Sequence, residues 1–159
     1  MIQVTLITVG GLKEAYWRDA VAEYEKRLGA FCKPTLVQLK EARLPDAPSE
    51  SEIQTALEDE GRRILAAIPP RAYTVALCVE GKQFSSEALA KKLETAVGDG
   101  ASLCLVIGSS HGLAQQVKDA CRLRLSVSEL TFPHQMMRVL LLEVLYRSFS
   151  IIKGTKYHK

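Results

Sequence analysis

What this chain has little of sets the first bounds. It has no C-x-x-C pair, and its four cysteines, Cys32, Cys78, Cys104 and Cys121, are far apart. Cys78 and Cys104 fall inside apolar, strand-like runs, so the pattern reads as buried reduced thiols rather than a zinc site or a disulfide framework. The three histidines, His111, His134 and His158, lack metal-ligand spacing, and no metal is expected. No run approaches the roughly 20 apolar residues of a membrane span. The opening run from Met1 to Val9 has no basic flank and is too short for a signal peptide, and no basic amphipathic presequence follows, so a cytoplasmic location is expected. Charge of one sign is scarce: 21 Lys and Arg face 18 Asp and Glu, for a net +3. Such a balance does not demand a nucleic-acid partner, and any basic surface must come from clustering. The turn at Gly108 lacks the G-x-G-x-x-G spacing of a dinucleotide fingerprint, and no Gly-Lys-Ser/Thr follows to make a phosphate loop.

What is present suits one ordinary domain over residues 1–159, 47% hydrophobic and 25% charged, large enough for a real core. Strand patterns occupy 3–9, 34–39, 73–79, 102–107 and 123–127. Helical patterns occupy 12–28, 51–68, about 86–97, 113–121 and 134–152. In the first helix Leu12, Ala15, Tyr16, Val21, Tyr24 and Leu28 are the candidate inward positions, and Gly29 suits its stop. Ser51 with Gln54 resembles a capping box for the second helix, after a surface loop over 41–50. Gly98-Asp99-Gly100 suits the stop of the third. Strands alternating with helices predict an α/β fold, with a mostly parallel sheet and helices on both faces.

The stretch from Val127 to Arg138 concentrates chemistry. Pro133 fixes φ and lacks an N–H, which suits the start of a helix. Ser128 and Thr131 precede it and can cap free N–H groups. His134 opens the helix, where the positive end of the macrodipole lowers its pKa. Arg138 follows four residues later, on the same face. An ionisable pair bordered by Met136, Met137, Val139 and Leu140 calls for a ligand, an acidic partner or a cleft; the other reading is surface decoration.

Ligands in open parallel sheets bind beyond the carboxyl ends of strands. Three such ends converge in the second half of the chain: Glu80-Gly81-Lys82, Gly108 to Gly112, and the Val127 stretch. Glycines at the first two let a ligand approach the backbone. Lys82 and His111 read as solvated turn residues. Glu143 and Arg147 have the spacing of a structural ion pair on the side away from His134. In the last helix Met137, Leu140, Leu141, Val144 and Leu145 can face the sheet, which leaves Met136, Val139 and Leu142 for a second subunit. The tail from Lys153 to Lys159 is basic with one aromatic; composition favours a frayed terminus over an RNA-touching arm.

The run Thr131-Phe132-Pro133-His134-Gln135-Met136-Met137-Arg138-Val139, the later Glu143-x-x-Tyr146-Arg147 and the terminal Tyr157-His158-Lys159 resemble the small SPOUT-class rRNA methyltransferases, the large-subunit methyltransferase H family, over the whole chain. The resemblance implies an S-adenosyl-L-methionine-dependent enzyme that methylates N3 of a pseudouridine in helix 69 of large-subunit (23S) rRNA, within the assembled ribosome. It implies a C-terminal trefoil knot over roughly 73–159 and a homodimer with the cofactor site at the interface. It carries cofactor binding onto Leu77, Gly108, Val127, Ser128, Glu129, Leu130, Thr131 and Phe132. The catalytic and substrate roles fall on His134, Arg138, Tyr157 and His158, with Arg138 stabilising the imide anion and His158 or His134 moving its proton. The family carries two glycines in the second turn, and Ser109 stands at the second, where a side chain restricts φ. A SPOUT enzyme acting on tRNA or another nucleotide, and a non-catalytic ribosome-binding module, are the alternative readings.

Overall fold

A five-stranded sheet runs through the protein in the order β2-β1-β4-β3-β5. The computed structural model describes residues 1–98 and 100–158, so Asp99, in the expected stop after the third helix, and the terminal Lys159 lie outside the described residues. The strands are β1 (Ile2–Val9), β2 (Cys32–Leu39), β3 (Tyr73–Lys82), β4 (Leu103–Ile107) and β5 (Leu123–Leu125), and the helices are α1 (Ala15–Leu28), α2 (Glu50–Ala67), α3 (Ser86–Gly98), α4 (Gln115–Ala120) and α5 (His134–Ile152). All four strand pairings are parallel.

Parallel sheets survive only when both faces are covered, and the side chains of β4 show the cover. Leu103, Leu105 and Ile107 join a core with Val21 and Leu28 of α1, Leu89 and Leu93 of α3, and Leu141, Leu145 and Phe149 of α5. The alternate residues Cys104 and Val106 join a second core with Ile64 of α2 and Val117 of α4. The expected α/β layering with helices on both faces is therefore present. Each fully buried Leu or Phe contributes about 1.5–3 kcal/mol of transfer free energy. Burial pushes the Cys32 thiol up to about 11 and that of Cys104 up to about 12, so both stay protonated. Cys78 and Cys121 are only half-buried.

Several boundaries move for local reasons. α1 starts at Ala15 because the Arg18 guanidinium takes the carbonyls of Leu12 and Lys13, and the Lys13 N–H donates to Gln135 Oε1. Ala15 and Tyr16 are exposed, not inward. Gly29 caps α1 in a right-handed conformation. The second helix is capped by Ser49 rather than Ser51: the Glu52 N–H donates to Ser49 Oγ over 3.2 Å. No side chain caps α5; the backbone carbonyl of Pro133 starts it by accepting from Met137 N–H. Ser128 Oγ instead accepts from Leu130 N–H within the loop, so neither it nor Thr131 serves the helix.

One departure positions the site. β3 does not end before Glu80-Gly81-Lys82 but resumes pairing at Lys82, so that Leu77 and Lys82 both sit opposite Leu125. The intervening loop lies directly on β5. A Cβ at Gly81 would stand 2.7 Å from the carbonyl carbon of Leu125 and 2.8 Å from that of Arg124. This glycine admits another strand's backbone rather than a ligand. Ser126 N–H donates to the Lys82 carbonyl, which ties the start of the Val127 stretch beside the end of β3.

Candidate active site

The carboxyl ends of β3, β4 and β5 surround a cleft of roughly 720 Å³. Leu77, Gly108, Val127, Ser128, Leu130, Thr131, Phe132 and His134 line it; Glu129, exposed on the same loop, does not. Ile107, Leu125 and Met137 add apolar wall. At the rim Lys118 pairs with Glu80, a contact that holds the Glu80 carboxyl below its usual range and leaves that edge electrically balanced.

The β4 turn that forms the floor is closed on itself. Ser109 pairs with Gly112 across it, with Gly112 N–H donating to the Ser109 carbonyl over 2.9 Å. A Cβ at Gly108 would stand 2.1 Å from the Gly112 carbonyl oxygen, so glycine is obligatory there for chain closure. The left-handed residue of the turn is Gly112, at φ 90°, whereas Ser109 has negative φ and costs no backbone strain. Its hydroxyl donates to Glu60 Oε1 over 2.9 Å, and both groups are buried. Burial raises the Glu60 pKa, and the Ser109 hydroxyl opposes that shift. The other oxygen, Glu60 Oε2, has no hydrogen-bond partner among the described residues.

His134 and Arg138 occupy different depths. His134 is half-buried on the cleft wall, and burial lowers its pKa from the ordinary 6.5; the nearby Arg138 and Lys13 lower it further and Glu41 opposes them. Arg138 does not reach the cleft surface. It is 3% exposed and its Nη2 donates to the Gly10 carbonyl over 2.9 Å. Both residues converge on the end of β1, where a Cβ at Gly10 would lie 3.7 Å from His134 Nε2 and 3.5 Å from Glu41 Oε2. Gly10, at φ 89°, and Glu41 thus belong to the site although sequence reasoning passes over them. The signal was available: Gly10-Gly11 is also a glycine turn at the carboxyl end of a strand.

Through His158 the tail lies elsewhere and is packed on its own chain. Tyr157 Oη donates to Glu143 Oε2 over 2.9 Å, and its ring lies 4.7 Å beneath the Arg147 guanidinium. Arg147 pairs with Glu143 Oε1 at 2.7 Å, as the spacing predicts. His158 sits between Arg147 Nη1, 3.3 Å away, and Glu87 Oε1, 2.8 Å away. Neither Tyr157 nor His158 lines the cleft of its own chain. Of the residues expected to face a second subunit, Leu142 is in the core at 1% exposure, while Met136 and Val139 are half-buried. Lys82 lies 5.1 Å from the Phe84 ring, and His111 is an exposed residue at the cleft rim. Among the described residues no group of three or more His, Cys, Asp or Glu is placed to hold a metal, and no helix is long and apolar enough to cross a membrane.

Comparison with known proteins matches residues 2–158 to the family model described as predicted SPOUT methyltransferase. A solved structure similar to this chain is that of a probable methylase family protein from Haemophilus influenzae Rd KW20, with 15% sequence identity and a TM-score of 0.55 over 99% of this chain and 70% of that one. At that identity the likeness speaks to the fold.

Proposed function

The chain belongs to the predicted SPOUT methyltransferase family, and from that premise we propose that it transfers the methyl group of S-adenosyl-L-methionine to N3 of a pseudouridine in helix 69 of large-subunit rRNA, on the assembled ribosome. One observation carries the reading. Apart from Glu129, every position that the resemblance gives to the cofactor lines a single cleft, although those positions are scattered from Leu77 to Phe132. The residues fit such a ligand. The volume lies within the roughly 300–1,000 Å³ of small-molecule sites. Leu77, Ile107, Leu125 and Val127 offer flat apolar walls, and Ser128 and Thr131 offer hydroxyls at the margin.

When bound, S-adenosylmethionine supplies an electrophilic methyl group on a sulfonium. The chain's own residues handle the rest. The imide nitrogen must lose a proton, and His134 is the group we assign to accept it, since burial lowers its pKa and so favours the neutral imidazole that a base requires. Arg138, behind it, is a fixed positive charge in a poorly solvated position. There, hydrogen-bonded to the Gly10 carbonyl, it stabilises a developing imide anion through space rather than gripping the base directly. The active unit is a homodimer packed through the α1–α5 side, where Tyr16, Met136 and Val139 retain accessible surface, and Tyr157 and His158 of the partner subunit close the cleft. We extend the proposal to the trefoil knot that the resemblance implies for the C-terminal part, roughly 73–159.

Two measurements test this. Calorimetry with S-adenosylmethionine should show saturable one-to-one binding per chain, and its absence would remove the catalytic reading in favour of a binding module. Mass spectrometry of rRNA from a strain lacking this chain should show one methyl group missing from a helix 69 pseudouridine, restored by the intact chain. A methyl group missing instead from tRNA or another nucleotide would overturn the substrate assignment.

A further inference from the structure

At the opposite end of the sheet from the cleft lies a second concavity, of roughly 660 Å³. It is built where β3, β4 and β5 begin, against the outer side of α3. Arg71, Lys91, Lys92 and Arg122 line it, with Tyr73 and Phe84 as aromatic walls. Lys82, over the Phe84 ring, extends it toward the cleft, because Lys82 pairs with Leu125 and Leu125 is itself cleft wall. All five cations are exposed, and none forms an ion pair among the described residues, whereas Arg27, Arg62, Arg63, Lys118, Arg124 and Arg147 all do. In a chain of net +3, four unpaired positive charges on one concave surface, with Lys82 beside it, leave the remainder with no positive excess.

The backbone singles out this surface independently. Arg71 has φ 61°, the sole left-handed residue besides glycine among those described, in the turn after Pro69-Pro70. A side chain with a Cβ costs about 1 kcal/mol there relative to glycine. A cation placed at that cost, rather than the glycine or asparagine the turn prefers, points to a role for the guanidinium.

We propose that this concavity is a docking site for the phosphodiester backbone of structured RNA, which anchors the substrate while its target nucleotide enters the cleft. The inference rests on the reading of the protein as an RNA-modifying enzyme. It names the surface that positions the RNA, distinct from the residues that touch the reacting base. Lysines and arginines meeting phosphates would give sequence-independent grip and a strong salt dependence.

The test uses the full-length protein and a fluorescein-labelled RNA hairpin of mixed sequence, with S-adenosylmethionine binding measured in parallel. In K91E/K92E the hairpin affinity should fall at least tenfold, and the slope of log affinity against log salt should flatten by about 2. The charge-matched control K26E/K33E should stay within threefold of wild type. Arg71→Gly should lose affinity several-fold with no loss of thermal stability, because glycine relieves the strained φ. Equal loss in K26E/K33E and K91E/K92E, or no hairpin binding by the wild type in low salt, would overturn the proposal. Polyglutamate binding as tight as the hairpin would replace RNA with acidic polymers in general. S-adenosylmethionine binding should be unchanged in every variant; its absence already in the wild type would count against the methyltransferase reading and leave the RNA surface standing on its own result.

Discussion

Arg138 donates to the carbonyl of Gly10 across 2.9 Å, and no carboxylate stands within ion-pair reach of its guanidinium among the described residues. Its Nε has no hydrogen-bond partner among the described residues. Burial alone lowers its pKa, the reverse of what an ion pair does. A solitary buried cation is costly, and it is retained here against the interest of the fold. Arg138→Met, similar in volume and apolar, should therefore leave stability unchanged within about 1 kcal/mol or raise it. The same variant should lower methyl transfer at least a hundredfold at saturating cofactor, on the order of 3 kcal/mol in the barrier. A variant that melts early and retains turnover would make Arg138 a structural residue.

The pH dependence follows from His134, whose folded pKa lies below the ordinary 6.5. Between that value and the folded one the unfolded chain binds a proton that the folded chain does not. Stability therefore falls as pH drops through this window and levels off below the folded pKa. His134→Asn should remove that slope from a series of melts between pH 7 and 5. If His134 accepts the imide proton, kcat/KM should rise along an acid limb centred below 6.5 and be flat above it. Imidazole titration by NMR should move upward in Arg138→Met and downward in Glu41→Gln, since Arg138 depresses the pKa and Glu41 supports it. A limb centred above 7, or one that persists in His134→Asn, would assign the base elsewhere.

The element pattern was legible where period and punctuation agree. α5 begins and ends as the sequence predicts because Pro133 and the tail glycine bound a long apolar run. The α/β layering was legible because continuous apolar runs such as β4 need cover on both faces. What was not legible is which groups meet across long separations. Nothing near Gly81 says that its missing side chain makes room for the backbone of Arg124. Nothing near Arg138 says that its partner is a carbonyl at position 10 rather than a ligand. The spacing of His134 and Arg138 placed them on one face of a helix but could not tell depth, and depth separates the group on the cleft wall from the one behind it.

Ser109 and Glu60 form a pair that should behave cooperatively. Among the described residues the Ser109 hydroxyl is the one side-chain donor to Glu60, and both groups are buried. Ser109→Gly keeps the turn small but takes the side-chain donor from a buried carboxyl, at a cost of roughly 1–3 kcal/mol. Glu60→Ala should make the loss of Ser109 nearly harmless, so a double-mutant cycle in urea should give a coupling of at least about 1 kcal/mol. Additive effects would show that the hydrogen bond contributes nothing to holding the cleft floor.

The tail carries the sharpest test of the dimer. Tyr157 and His158 are held on their own chain by Glu143, Arg147 and Glu87, groups that are partly exposed, so removing residues 157–159 should cost no more than about 1 kcal/mol. If the tail serves a second subunit's cleft, the truncated protein should still dimerise but lose turnover. The same truncation would also silence an enzyme whose tail merely braces α5, so a second experiment is needed. Glu143→Gln weakens the brace and leaves the tail in place; a brace role predicts that it mimics truncation, whereas delivery to a partner predicts that turnover survives. Mixing then separates cis from trans. A truncated chain keeps His134 and lacks a tail; a His134→Asn chain lacks the base and keeps its tail. Each alone should be inactive. Refolded together they should form mixed dimers in which the truncated chain's cleft receives the other chain's tail, restoring about a quarter of wild-type activity for random pairing of two-fold dimers. No recovery in a mixture shown by native mass spectrometry to contain mixed dimers would place the tail's action within its own chain.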